Sequence, residues 1–251
     1  MSHTNLEHSH EPEAIRERLS QDHTPSYLRD AILGGIDGCV TTVAVIASVA
    51  GAGLPGMVAF VLGIASLIAD AFSMGVSNYQ AVKSDDDARD RLRDQEARHI
   101  ELDPGGEREE IRQIFKQKGF EGEALENIVE TISANERLWI NTMIQEEFGH
   151  PLSGPSPWKA ALATFGVFIG VGLIPLLPFL APFLAGAQMF YTSGAVAILS
   201  LFGIGWVKGV ILGMGRFRAG IETLAMGGGA ALLAFLLGFV FEPMLGNLQI
   251  G

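Results

Sequence analysis

Apolar residues fall along the chain in five long runs, roughly 31 to 52, 55 to 82, 159 to 183, 188 to 207 and 219 to 241. A helix needs about 20 mostly apolar residues to cross the hydrocarbon core of a bilayer, so each run predicts one spanning helix. Between Ser84 and His150 the pattern changes. No run there is long enough to span, and apolar residues return at helical spacing, as at Ile111, Ile114, Phe115, Leu125, Ile128, Val129 and Ile132. "SDDDARDRLRDQEARHIEL" predicts a helix that opens on acids at Ser84 and stops before Pro104. A second is predicted from about Gly106 to Lys118, ending at Gly119, and a third, whole or broken, over Glu121 to Phe148. The expected fold is an all-α membrane protein with five transmembrane helices and an inserted cytoplasmic three-helix module. Its parts are a flexible tail (1–26), transmembrane helices 1 and 2 (27–83), the module (84–156) and transmembrane helices 3 to 5 (157–251). The tail carries at most a short amphipathic helix before Pro25.

Charge adds an orientation. All 17 Lys and Arg fall ahead of the first apolar run (the last of them Arg29), between Lys83 and Lys159, or in the short connection with Lys208, Arg216 and Arg218. Five alternating crossings put these three segments on one face, which the positive-inside rule makes cytoplasmic. Hydrophobic residues make up 48% of the 251, and mean hydropathy is +0.30, high for a soluble protein. The net charge of −11 argues against nucleic acid as a partner and would concentrate cations around the module. "MSHTNLEHSHEPEAIRERL" lacks a basic region followed by an apolar core, so no cleavable signal is expected. The lone Cys39 excludes a disulfide framework and is expected to pack inside the first span. Compact loops and the lack of a sorting tail suggest a bacterial inner membrane.

Small residues recur every four positions at Gly34 and Gly38, at Gly166 and Gly170, and at Gly205, Gly209 and Gly213, a spacing that lets membrane helices approach closely. Pro175, Pro178 and Pro182 should kink or loosen the end of the third span.

A carboxylate at mid-bilayer costs roughly 2.5 to 3.5 kcal/mol on insertion scales, so buried acids in spans call for a purpose. Asp37, Thr41 and Ser48 share one face of the first span; Ser66, Asp70, Ser73, Met74 and Ser77 share one face of the second. The two rows can face each other across a wet passage, or the aspartates can brace helices by accepting hydrogen bonds. Carboxylates suit hard cations, and the thioether of Met74 moves the preference toward softer transition metals. In the module Glu96 and His99, Glu107 and Glu110, and Met143, Glu147 and His150 stand three or four apart, so each predicted helix offers ligands from one face. Charged helices also produce such spacings as solvated faces. In the tail His3, His8 and His10 alternate with Glu7, Glu11 and Glu13, a loose metal site or simply a solvated segment.

From about Tyr27 to Phe241 the sequence resembles the vacuolar iron transporter family. The likeness is carried by "RDAILGGIDGCVTTVAVIA", "ADAFSMGVSNY", "WINTMIQEEFG", "GLIPLLPF" and "GRFRAGIETLAMGG". It implies a homodimer, a path near the two-fold axis, a cytoplasmic metal-binding module and export of Fe²⁺ in exchange for protons. By position, Asp37 and Met74 match path residues, and Glu96, Glu107, Glu110, Met143 and Glu147 match module ligands. Ser66 stands where plant members carry a glutamate, with Asp70 one turn later. His99 replaces a glutamate and Ile144 a second methionine; imidazole still suits iron, cobalt, nickel and zinc.

The expected function is therefore a proton-coupled exporter of Fe²⁺, with Mn²⁺ (or Co²⁺, Ni²⁺, Zn²⁺) as a further ion and no prosthetic group. The rival is a membrane-tethered carboxylate bundle that oxidises or stores iron, with Glu96 and His99 as half of a di-iron site. A third reading has the module sense metal and gate the path.

Overall fold

The computed structural model describes residues 9–20 and 26–246; His3, Glu7 and His8 lie outside them. Every regular element among the described residues is helical. A short helix α1 covers Pro12–Ser20. Four long apolar helices follow the expected runs: α2 (Leu28–Gly51), α3 (Gly56–Leu102), α8 (Ala187–Ile211) and α9 (Arg216–Gly246). The fifth run is a bent pair. α7 (Pro157–Gly172) turns by 40° into a short 3-10 helix, Ile174–Leu180. Pro175 and Pro178 in that segment lack the N–H that an α-helix would use, which explains the break where the prolines predict it.

α2 lies at the centre of the membrane part and touches α3, α7, α8 and α9. Its glycines make this possible. A Cβ on Gly34 would stand 2.5 Å from the Thr164 carbonyl oxygen, and one on Gly38 would collide with the Phe168 carbonyl, so the α2 and α7 backbones are in direct contact. Gly205 and Gly209 do the same between α8 and α9. Gly166 and Gly170, by contrast, meet nothing within 4 Å, and Gly213 sits in the turn after α8 with φ of +64°. The four-residue spacing thus marks helix contacts in two of the three runs. Ile46, Val49, Ala59, Leu67, Ala71, Phe168, Leu176 and Phe179 form the shared apolar core. Cys39 is fully buried within α2.

The largest departure from expectation is at Ser84. No helix starts there: α3 runs without a break from the membrane into the polar region. At 1.5 Å per residue its 47 residues extend about 70 Å, more than twice the roughly 30 Å of hydrocarbon. The apolar half, up to about residue 82, is by itself long enough for the crossing, and the charged half begins at Lys83. Asp85, Asp86 and Asp87 therefore lie in mid-helix and do not serve an N-terminus; Lys83 to Asp87 (2.6 Å) and Arg89 to Asp86 pair along the helix instead.

Helices α4 (Pro104–Gln117), α5 (Gly122–Ser133) and α6 (Glu136–Glu146) complete the module against this extension. The third expected helix is broken at Ala134 and Asn135, where the Asn135 side chain accepts from the Leu138 N–H and starts α6. Ile111, Leu125, Val129, Ile132, Trp139 and Met143 form the module's own core, with Ile100, Ile114, Phe115 and Ile128 packed against it. The segment leading back to α7 is fastened to α3 and to the start of α2. Arg93 donates to the Leu152 carbonyl at 2.6 Å, the Arg89 guanidinium lies against Gly154, and the Ser156 N–H donates to the Tyr27 hydroxyl at 3.0 Å.

Candidate metal centre

Glu96 and His99 project from the outer end of α3, one turn apart. The chain then reverses at Asp103, whose carboxylate accepts from the Gly106 N–H at 3.0 Å, while Pro104 opens α4. This tight turn brings Glu107, in the first turn of α4, back onto α3. His99 Nδ1 lies 3.3 Å from Glu107 Oε1 and 3.9 Å from Glu96 Oε1. One donor atom from each of the three residues falls within 4.8 Å of the others. Two oxygens and an imidazole nitrogen are a donor set for Fe²⁺, Mn²⁺ and their first-row neighbours.

Electrostatics supply the stronger argument. Glu96 and Glu107 are buried, and Oε2 of each lacks a hydrogen-bond partner. Among the described residues neither carboxylate is paired with a Lys or Arg. Burial, then the charges of Glu107 and Glu147, push Glu96 up to about 7. Glu107 is raised by burial and by Glu110, and Glu147 by desolvation and by Glu110 and Glu107. Buried acids that repel one another and leave oxygens unmatched are costly as bare carboxylates, and either a proton or a divalent cation can satisfy them. Glu110 and Glu147 stand on exposed positions within electrostatic reach of the three. Met143 is fully buried in the module core, one turn before Glu147, and Ile144 is buried beside it. His150 stands apart from this group; its N–H donates to the Ile144 carbonyl at 3.0 Å, closing the end of α6.

In the membrane part Ser66 donates to Asp70 Oδ2 at 2.7 Å, so Asp70 is braced from its own helix. Asp37 on α2 is within electrostatic reach of Asp70. Both are half-buried, Met74 packs its side of α3 against the apolar core, and Ser73 and Ser77 are exposed.

A second polar cluster escaped the sequence reading. The Asn78 amide nitrogen donates to Asp30 Oδ1 at 2.9 Å and to Thr164 Oγ1 at 2.8 Å, joining α3, α2 and α7. Asp30 and Asn78 each stand near the polar end of an apolar run, where a polar residue is cheap and draws no notice. Their signal was that Asp30 and Asn78 lie in two of the five stretches that carry the family likeness.

The family model described as the VIT family matches residues 28–239. The chain belongs to this family. It is 32% identical over 236 residues to vacuolar iron transporter 1 of Tulipa gesneriana, covering 90% of this chain and 94% of the relative. It is also 32% identical over 244 residues to vacuolar iron transporter 1 of Arabidopsis thaliana, covering 92% and 94%. A vacuolar iron transporter of Toxoplasma gondii is 29% identical over 238 residues, covering 90% and 79%. The VIT-family match takes in both acid clusters and the Asn78 bridge.

Proposed function

We propose that this protein transports Fe²⁺, with Mn²⁺ as a further ion, out of the cytoplasm in exchange for protons. The module, on the cytoplasmic side, captures the ion through Glu96, His99 and Glu107, with Glu110, Met143 and Glu147 as further ligands. Asp37, Asp70 and Met74 then replace part of its water shell during passage. The observation that carries this reading is the pair of buried, unpartnered oxygens of Glu96 and Glu107 beside His99, at the outer end of the same helix that holds Asp70 and Met74. A purely structural acid would be matched by a donor.

The half-exposed setting of Asp37 and Asp70 supports a homodimer. On a single protomer these carboxylates would meet lipid, at a cost a second copy of the chain removes by enclosing them in a shared, wet passage. Coupling follows from competition. A carboxylate must be ionised to hold the metal, so protons arriving from the far side displace the ion from the same oxygens. Fe²⁺ flux driven by a pH gradient across proteoliposomes tests the proposal: Asp37→Asn should abolish it, and unchanged flux overturns the assignment.

A further inference from the structure

α2 and α3 form a hairpin, and their polar residues pair in two rungs. Asp37 and Asp70 make the inner rung. Asp30, seven residues before Asp37, and Asn78, eight residues after Asp70, make the outer rung, about 10 to 12 Å away along the helices. The rungs differ in kind. At the inner one two carboxylates lie within electrostatic reach of each other, and Asp70 accepts a hydrogen bond from Ser66 of its own helix. At the outer one the Asn78 amide commits both hydrogens across helices, to the Asp30 carboxylate and to the Thr164 hydroxyl. Thr164 is fully buried, its backbone lies against Gly34, and its hydroxyl also reaches the Asp30 carbonyl at 3.5 Å.

Apolar contacts hold helices together without fixing how far one slides or turns against another, whereas a closed set of directional bonds does. Among the described residues, the Asn78 to Asp30 bond is the one side-chain hydrogen bond joining α2 to α3. The spacing of two mutually repelling carboxylates must be imposed from outside, and this bridge is the element placed to impose it. We propose that Asn78 is a positioning residue of the transport path: by locking Asp30 to Thr164 it sets the register of α2 against α3 that holds Asp37 within electrostatic reach of Asp70, and with it the size of ion that Asp37, Asp70 and Met74 accept. This rests on the reading of those three residues as ion ligands.

The test is initial flux of Fe²⁺ and of Mn²⁺ by the full-length protein in liposomes over a range of concentrations. Asn78→Leu and Thr164→Val should each change the Fe²⁺ to Mn²⁺ ratio of maximal rate over KM by about tenfold, the scale on which small misplacements act. Thr164→Ser keeps the hydroxyl and should stay near wild type. A bridge that only aids folding would lower both fluxes in proportion to folded protein and leave the ratio and KM alone; that result, or wild-type flux throughout, overturns the proposal. Should Asn78→Leu not fold, the Thr164 pair decides by itself. Asp37→Asn separates the two levels: if it transports normally the ligand reading has failed, and if it is inactive while the ratios do not move, only the role of Asn78 has.

Discussion

Asp70 and Glu96 stand on one unbroken helix, 26 residues apart, which separates them by about 39 Å along its axis. No loop lies between the carboxylate in the membrane part and the buried one in the module. Arg89 and Arg93 fasten the returning chain to that same helix. Between Asp70 and Glu96, α3 has no break that would absorb a displacement at either end.

A proline placed at the boundary should separate the two ends. Ser84→Pro removes one helical hydrogen bond, clashes with the preceding turn and costs about 3 kcal/mol in a helix interior. The module core, with Glu96, His99 and Glu107, lies more than three turns away and should remain intact. Metal titration of the purified protein should thus give a near wild-type affinity, while flux falls by about tenfold or more. Wild-type flux from this variant would show that the rigid connection is not used.

Much of this arrangement was legible in the residues. Spans follow from apolar length, which the bilayer enforces, and the prolines announce the break after α7. The module core appeared at helical spacing because Ile111, Leu125 and Val129 have no other way to leave water. What failed was local: the acids after Ser84 are good helix starters, but they are equally tolerated on an exposed mid-helix face, and composition cannot tell these apart. Pairs such as Glu96 with His99 were visible by spacing, whereas the meeting of His99 with Glu107 depends on the Asp103 turn. The Asn78 bridge joins residues 48 and 86 positions apart, a relation that no spacing along one helix encodes.

Asp103 holds the turn that assembles the centre, though it is not one of the three clustered donors. Asp103→Ala removes the cap on the Gly106 N–H, typically worth about 1 kcal/mol. The start of α4 should fray and Glu107 should drift from His99. We expect metal affinity to weaken by about fivefold, near the 1 kcal/mol scale, with Asp103→Asn or Asp103→Ser restoring most of it. Titration calorimetry with Mn²⁺ checks this; equal affinity for the alanine and serine variants would rule it out.

The glycines of α2 and α7 make a matched control. Gly38→Ala places a methyl group into the Phe168 backbone, which cannot yield as a flexible side chain would. It should destabilise the membrane part by about 1 to 3 kcal/mol or more, as overpacking does. Gly166→Ala enters open space, and within the protomer it should be neutral or slightly stabilising, since alanine is the better helix former. Thermal unfolding in detergent compares them. If Gly166→Ala proved as damaging as Gly38→Ala, the face of α7 left open in one protomer would be covered in the assembly.

Acidity links the module's stability to its metal in opposite senses. Glu96 titrates at about 7 in the folded chain, against an ordinary 4.5, so the folded state holds this proton more tightly than the unfolded one. That contribution to stability is complete below the ordinary value and is lost as pH rises through about 7. Glu107 and Glu147 are raised in the same direction and add to the effect. Glu96→Gln imitates the protonated acid at every pH. Its melting temperature without metal should therefore exceed that of the wild type increasingly from pH 4.5 to 7 and stay above it beyond. Metal reverses the order, because ligating carboxylates must be ionised. Wild-type affinity for Mn²⁺ should climb over the same interval, with roughly one proton released per ion near its middle, while Glu96→Gln should bind about 10- to 100-fold more weakly with a flatter pH response. Melting curves with and without Mn²⁺, and calorimetry in two buffers of different ionisation heat, read both quantities. A wild type that gains stability over Glu96→Gln as pH rises in the absence of metal would mean that the Glu96 carboxylate already has a partner in the folded chain.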